Sequence, residues 1–241
     1  MKKYFPLYLI GVALIGCSSS KEWSVRHGQH PQQFEKQIVK KVGVKFLLYL
    51  PKNYGEPGKR YPLLMFLHGS GERGNDVNAL KVHSIPHIVE TRDDFPFVVV
   101  SPQCPEGERW DPETLNALLD EVIAQLAIDT TRVYLTGLSM GGYGTWKLAA
   151  AHPERFAAIA PVCGGGSLED TGRLKEMPVW AFHGAMDDVV PPMESERMIE
   201  SLQRLGNTKT KFTLYPDANH NSWDATYANP ELYEWFLQHH K

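Results

Sequence analysis

The sequence predicts a three-layer α/β fold on a mostly parallel sheet, as one domain with no lid domain. Three observations predict it. Apolar strand-like runs alternate with helical patterns along most of the chain, the order that yields a parallel sheet covered on both faces. Two of these runs, YPLLMFL (61–67) and FVVVS (97–101), are continuously apolar, as strands buried on both sides are. The composition is globular: 241 residues, 42% hydrophobic and 22% charged, too apolar for a disordered chain and too charged for a membrane bundle. A formal net charge of −3 leaves no basic footprint for nucleic acid. Three Cys, without CxxC or paired Cys/His spacing, suggest neither a disulfide scaffold nor a zinc site.

The chain opens with Met1-Lys2-Lys3 and an apolar stretch from Tyr4 to Gly16. That stretch is shorter than the about 20 residues a membrane span needs and reads as the apolar region of a secretion signal. Its end, Leu14-Ile15-Gly16-Cys17 before Ser18-Ser19-Ser20, resembles a bacterial lipoprotein lipobox. The resemblance implies a lipoprotein signal peptide over residues 1–17, cut so that Cys17 is lipidated and becomes the mature N-terminus. It also implies that Ser18 favours the outer membrane of the bacterial envelope; an ordinary signal peptide with a chance Cys would instead leave the protein periplasmic or secreted. Residues 18–32 are polar, contain Pro31 and lack an apolar period, as a tether does.

A domain over 33–241 follows. Segments 33–39 and 42–50 read as a strand pair turning near Gly43, and 61–67 and 97–101 as buried strands. Over 113–127, Leu115, Leu118, Leu119, Val122, Ile123 and Leu126 recur at helical spacing after Asp111-Pro112. Strands are then expected at 132–136, 156–162, 178–182 and 211–215, and helices at 141–151, 194–205 and 231–239. No repeat appears and no segment is left for a second core.

Gly137-Leu138-Ser139-Met140-Gly141 stands between the strand RVYLT and the helical GYGTWKLAAA. That is the setting of a nucleophile elbow, in which a strained turn lifts Ser139 clear of the sheet. A serine needs a base and an orienting acid, expected in the order Ser, acid, His at the ends of later strands. After PVWAF comes His183-Gly184-Ala185-Met186-Asp187-Asp188, and after KFTLY comes Pro216-Asp217-Ala218-Asn219-His220. His220 is the candidate base, because His239 and His240 lie in the last helix or tail. Asp187 is preferred as the acid over its neighbour Asp188, being earlier in the turn, and over Asp217, which shares the His loop. The backbone N–H of Met140 can stabilise an oxyanion. A second N–H is expected from the glycine-rich turn His68-Gly69-Ser70-Gly71-Glu72-Arg73, with Ser70 the first candidate and Gly71 the next. There His68 orders the loop, and Glu72 and Arg73 invite a functional reading, with a loop-fixing ion pair preferred.

Together these segments resemble the α/β-hydrolase superfamily, and more closely bacterial carboxylesterases of the dienelactone hydrolase, feruloyl esterase and polyhydroxybutyrate depolymerase-like group. The resemblance is carried by LHGSGERGND (67–76), SPQCPEG (101–107), YLTGLSMGGYGTW (134–146), PVCGGG (161–166), AFHGAMDDVVP (181–191) and YPDANHNSWD (215–224). It implies Ser139 as nucleophile, Asp187 as acid, His220 as base, and oxyanion N–H groups from Ser70 and Met140, in a serine esterase without metal or cofactor. Dienelactone hydrolases proper use Cys where Ser139 stands, which argues against that activity. About 15 residues separate the strands 156–162 and 178–182, too few for a helical lid, so an open site for soluble or polysaccharide-linked esters is expected. Trp110, Tyr143 and Trp223 flank the motif loops as an aromatic wall for sugar or feruloyl rings, or as packing. Gly164-Gly165-Gly166 makes room for a bulky substrate or simply turns the chain. Cys104 and Cys163 are either a pair or two free buried thiols. Two rival readings are a peptidase of the prolyl-oligopeptidase type, which usually carries a large accessory domain, and a non-catalytic binding lipoprotein on a hydrolase fold.

Overall fold

The computed structural model describes residues 39–92 and 94–241. The expected signal peptide with Cys17, the tether, and the strand expected at 33–39 as far as residue 38 lie outside the described residues. Residues Val42–Lys241 form one compact unit.

Strand β2 (Tyr61–Leu67) is buried along its whole length and sits near the middle of a seven-stranded sheet. The other strands are β1 (Phe46–Tyr49), β3 (Val98–Pro102), β4 (Ile128–Leu138), β5 (Ala158–Val162), β6 (Val179–Gly184) and β7 (Thr210–Tyr215), in the spatial order β1-β3-β2-β4-β5-β6-β7. Every pairing is parallel except β1 with β3. Because side chains alternate across a strand, β2 feeds two cores. Leu63, Met65 and Leu67 face one packed by helices α2 (Pro112–Gln125), α3 (Met140–Ala151) and α4 (Met193–Arg204). Leu64 and Phe66 face the other, packed by α1 (Ser84–Thr91), α5 (Trp223–Ala228) and α6 (Pro230–Leu237). This is the expected three-layer architecture.

The differences from expectation have local causes. The segment 42–50 keeps only four strand residues and pairs with β3, Phe46 opposite Pro102. The second helix ends at Gln125 because Ile128 already pairs with Tyr61, so β4 starts four residues before the expected 132. Helices α1 and α5 were not foreseen. The first begins at Ser84 with φ 58 and carries Pro86, a residue tolerated only in a helix's first turn; the second has six residues. The connection 163–178 holds a single 3₁₀ helix, Leu168–Leu174. Among the described residues no helix is long and apolar enough to cross a membrane.

Candidate active site

Ser139 occupies the one-residue turn between β4 and α3, at φ 53 and ψ −117, a backbone conformation that costs a non-glycine residue energy. The turn is held by backbone meeting backbone. A Cβ on Gly141 would lie 2.0 Å from the Leu67 carbonyl oxygen, and one on Gly137 would lie 2.5 Å from that of Gly141. These glycines let the end of β2, the end of β4 and the start of α3 touch. The N–H of Ser139 donates to Val162 O at 3.0 Å and to Cys163 Sγ at 3.3 Å.

The loop after β7 brings His220 to this turn, with Nε2 2.9 Å from Ser139 Oγ and Nδ1 2.8 Å from Asp187 Oδ2. Asp187 is an acceptor, so Nδ1 carries the proton and Nε2 is left to receive one from the serine hydroxyl. The Asp187 side chain is fully buried, and Oδ1 accepts from the N–H groups of Val189 at 3.0 Å and Val190 at 2.8 Å. Burial alone pushes its carboxyl upward, but the His220 bond and these two N–H groups outweigh it and hold Asp187 below its ordinary value. Asp188 is exposed and turned away, its N–H on Asn219 Oδ1 at 3.2 Å. Asp217 is exposed as well.

At the end of β2, Ser70 and Gly71 are exposed, and nothing lies within 4 Å of where a Gly71 Cβ would be. Met140 opens α3, where the first N–H groups have no partner within the helix. His68, buried, orders this loop: Nδ1–H donates to Gly69 O, and Nε2 accepts from Cys104 N at 2.9 Å. Burial pushes its imidazole pKa down. The expected Glu72–Arg73 pair does not form. Glu72 binds His83 Nε2 at 3.1 Å, while Arg73 Nε donates to Ser70 O at 3.0 Å; adjacent side chains diverge here to reach different partners.

Of the residues expected as an aromatic wall or as packing, Trp110 is packing. It is 5% exposed, donates Nε1–H to His68 O at 3.2 Å and meets the His68 ring edge-on, so it packs beneath the loop that follows β2. Trp223 does stand at the site, stacked on His83 (5.7 Å, 26°) and edge-on to His220 (5.3 Å, 86°). Tyr143 is half-buried and lines a cavity of about 260 Å³ with Gly165, Gly166 and Met198. Cys104 and Cys163 are both buried and free. Cys163 stands at φ 40 under the nucleophile turn, and burial pushes its thiol up to about 12. Cys163, Asp187 and His220 place donor atoms within 4.8 Å of one another, but the latter two are already engaged with each other.

Residues not singled out from sequence also build the site. Asn219 Oδ1 accepts from both Asp188 N and His220 N, at 3.2 and 2.6 Å, and so ties the acid turn to the base loop. His183 and Ser195 lie behind Asp187. Only His183 carried a signal, its place four residues before the acid.

The Esterase family model matches residues 40–213. The chain belongs to this family. The matched span includes Ser139 and Asp187, and His220 follows it. This esterase-family chain is 28% identical over 201 residues to the bifunctional acetylxylan esterase/xylanase XynS20E of Neocallimastix patriciarum, covering 78% of the chain and 27% of that protein. It is 28% identical over 158 residues to feruloyl esterase C of Emericella nidulans, covering 62% of the chain and 57% of that enzyme. The chain thus spans less than two thirds of either relative. Among solved structures, a thermostable esterase superposes with a TM-score of 0.70 at 32% identity, covering 82% of this chain and 60% of that one. Est1E from Butyrivibrio proteoclasticus has a TM-score of 0.61 at 15% identity, over 82% and 94%, a likeness of fold.

Proposed function

We propose that this protein is a serine carboxylesterase that hydrolyses short-chain acyl esters, or aryl and acyl esters carried on polysaccharides, through an acyl-enzyme on Ser139. The observation that carries this reading is the unbroken line Ser139 Oγ, His220, Asp187, with hydrogen bonds of 2.9 and 2.8 Å. Ser139 attacks the ester carbonyl as His220 Nε2 takes its proton. Asp187 holds the imidazole in the required tautomer and stabilises the imidazolium. The N–H groups of Met140 and Ser70 receive the oxyanion, each worth about 3 kcal/mol of transition-state stabilisation. His220 then protonates the departing alcohol, and water repeats the sequence on the acyl-enzyme.

The substrate class is supported by the short connection 163–178, by Trp223 beside His220, and by the acetylxylan and feruloyl esterases among the relatives. The N-terminal pattern ending in Cys17 supports a lipid-anchored location on the bacterial envelope, through which the enzyme would reach surface or periplasmic glycans. Hydrolysis of p-nitrophenyl acetate and butyrate by wild type and Ser139→Ala tests the reading. The wild type should turn over both esters, and Ser139→Ala should lose several orders of magnitude in kcat. Equal activity in the two proteins refutes Ser139 as nucleophile. Cleavage of a p-nitroanilide in preference to the ester would point to a peptidase instead.

A further inference from the structure

His183 ends one residue short of the C-terminus of β6, and its side chain is completely buried. Nδ1 lies 2.7 Å from Ser195 Oγ, in the first turn of α4. Nε2 lies 2.9 Å from Val190 O and 3.2 Å from Asp187 Oδ2. Both of these atoms are acceptors, so Nε2 carries a proton. Its N–H is aimed at Val190 O, with the Asp187 oxygen to one side. Val190 is gripped from both ends, since its own N–H donates to Asp187 Oδ1 at 2.8 Å. On the far side the Ser195 hydroxyl is also 3.0 Å from Gly164 O. Gly164 in turn abuts the start of α3, where its Cβ would lie 2.7 Å from Tyr143 N. A buried path thus leaves the nucleophile's helix, passes through Gly164, Ser195, His183 and the Asp187–Val190 turn, and returns through His220 to Ser139.

Resting on the triad reading above, we infer that His183, oriented by Ser195, is a positioning residue for the catalytic acid. It clamps the Asp187–Val190 turn and lays the positive edge of its imidazole against the carboxylate oxygen that holds His220. An apolar residue in its place frees the turn, so Asp187 no longer meets His220 Nδ1 squarely and its charge supports the imidazolium less. The titratable groups facing this cluster are few. Cys163 at the end of β5 stays a neutral thiol. Glu194 beside Ser195 is bound to Arg197 at 2.6 Å. His83 is separated from His220 by the Trp223 ring.

The test measures the pH dependence of kcat and kcat/KM on p-nitrophenyl acetate for wild type, His183→Leu, His183→Gln and Ser195→Ala, with Ser139→Ala as the control for the triad. His183→Leu should lose on the order of 10²-fold in kcat, the scale of an acid misplaced by about an ångström. KM should stay within about twofold, and the acid limb of kcat/KM should move to lower pH. His183→Gln, whose amide can still donate to Val190 O, should recover most of kcat. Ser195→Ala should shift the limb the same way but less. An acid limb that stays in place or moves up overturns the inference, as does a Gln variant no better than Leu. If His183→Leu fails to fold, Ser195→Ala decides, and wild-type kcat and limb in that variant overturn the inference. Failure of the triad reading itself would show separately, as full activity in Ser139→Ala.

Discussion

At the β4–α3 turn, Ser139 is held by backbone packed on backbone, with no room at Gly137 or Gly141 for a single added carbon. At the loop after β7, His220 is held by side chains: Asn219 Oδ1 on its N–H, Asp187 on its ring and the Trp223 edge beside it, while Asp217 and Asn219 stand in solvent. The two regions supply adjacent atoms of one reaction line by opposite means. Ser139, the proposed nucleophile, must stay in a strained conformation, which persists only where the surroundings over-determine it. His220, as the proposed base, must pass a proton in both directions, and side-chain hydrogen bonds leave its ring aligned without sealing it off. The turn should therefore fail all at once, and the loop by degrees.

The largest expected effect divides the two neighbouring acids. Asp187→Asn should lower kcat by about 10⁴-fold through the wrong imidazole tautomer, whereas Asp188→Asn should remain near wild type. The reverse result would move the acid by one residue. On the nucleophile side, Gly141→Ala should destabilise the fold by about 3 kcal/mol or more, since the new carbon meets the Leu67 carbonyl, which cannot yield. The urea midpoint reads this, and a soluble variant of wild-type stability would break the contrast between rigid turn and adjustable loop. On the base side, Asn219→Ala should leave the urea midpoint within about 1 kcal/mol of wild type and lower kcat roughly 10-fold, by untying His220 from the acid turn. A midpoint loss as great as that of Gly141→Ala would show that the loop is no more tolerant than the turn.

The smallest effect is on stability against pH. Asp187 and Glu72 both titrate below their ordinary values of 3.8 and 4.5: burial opposes this in each, and bonds to His220 and two N–H groups, or to His83, prevail. A depressed carboxylate stabilises the fold fully above its unfolded value and loses that contribution as pH falls through the folded one. The urea midpoint should therefore be flat above about pH 5 and decline below about pH 4. The decline should be shallower in Asp187→Asn, and an equal slope would mean that the acid side of the comparison carries no linked stability.

Much of the molecule was legible in one dimension because its signals are local. The continuously apolar β2 and β3, the helical spacing of 113–125 and the small residues around Ser139 are each properties of short segments, and the strand order of acid and base follows from chain direction. The short helices α1 and α5 were not legible, because eight and six residues are held by what they pack on and not by their own pattern. The separate roles of Asp187 and Asp188 were only partly legible, since adjacent side chains in a loop differ by orientation alone. Trp110 stayed open between wall and packing, because an aromatic residue near a motif has the same sequence signal in either place, and its burial makes it packing. Ser195 gave no signal, and Asn219 and Cys163 stood in motif segments without any sign of the contacts they make. By itself, then, the sequence determined the layers, the strained serine and the pool of residues that could serve it. The tertiary structure decided which carboxylate meets the imidazole and which buried groups stand behind it, because hydrogen bonds across 33 and 81 residues of chain depend on where loops land and not on what precedes or follows them.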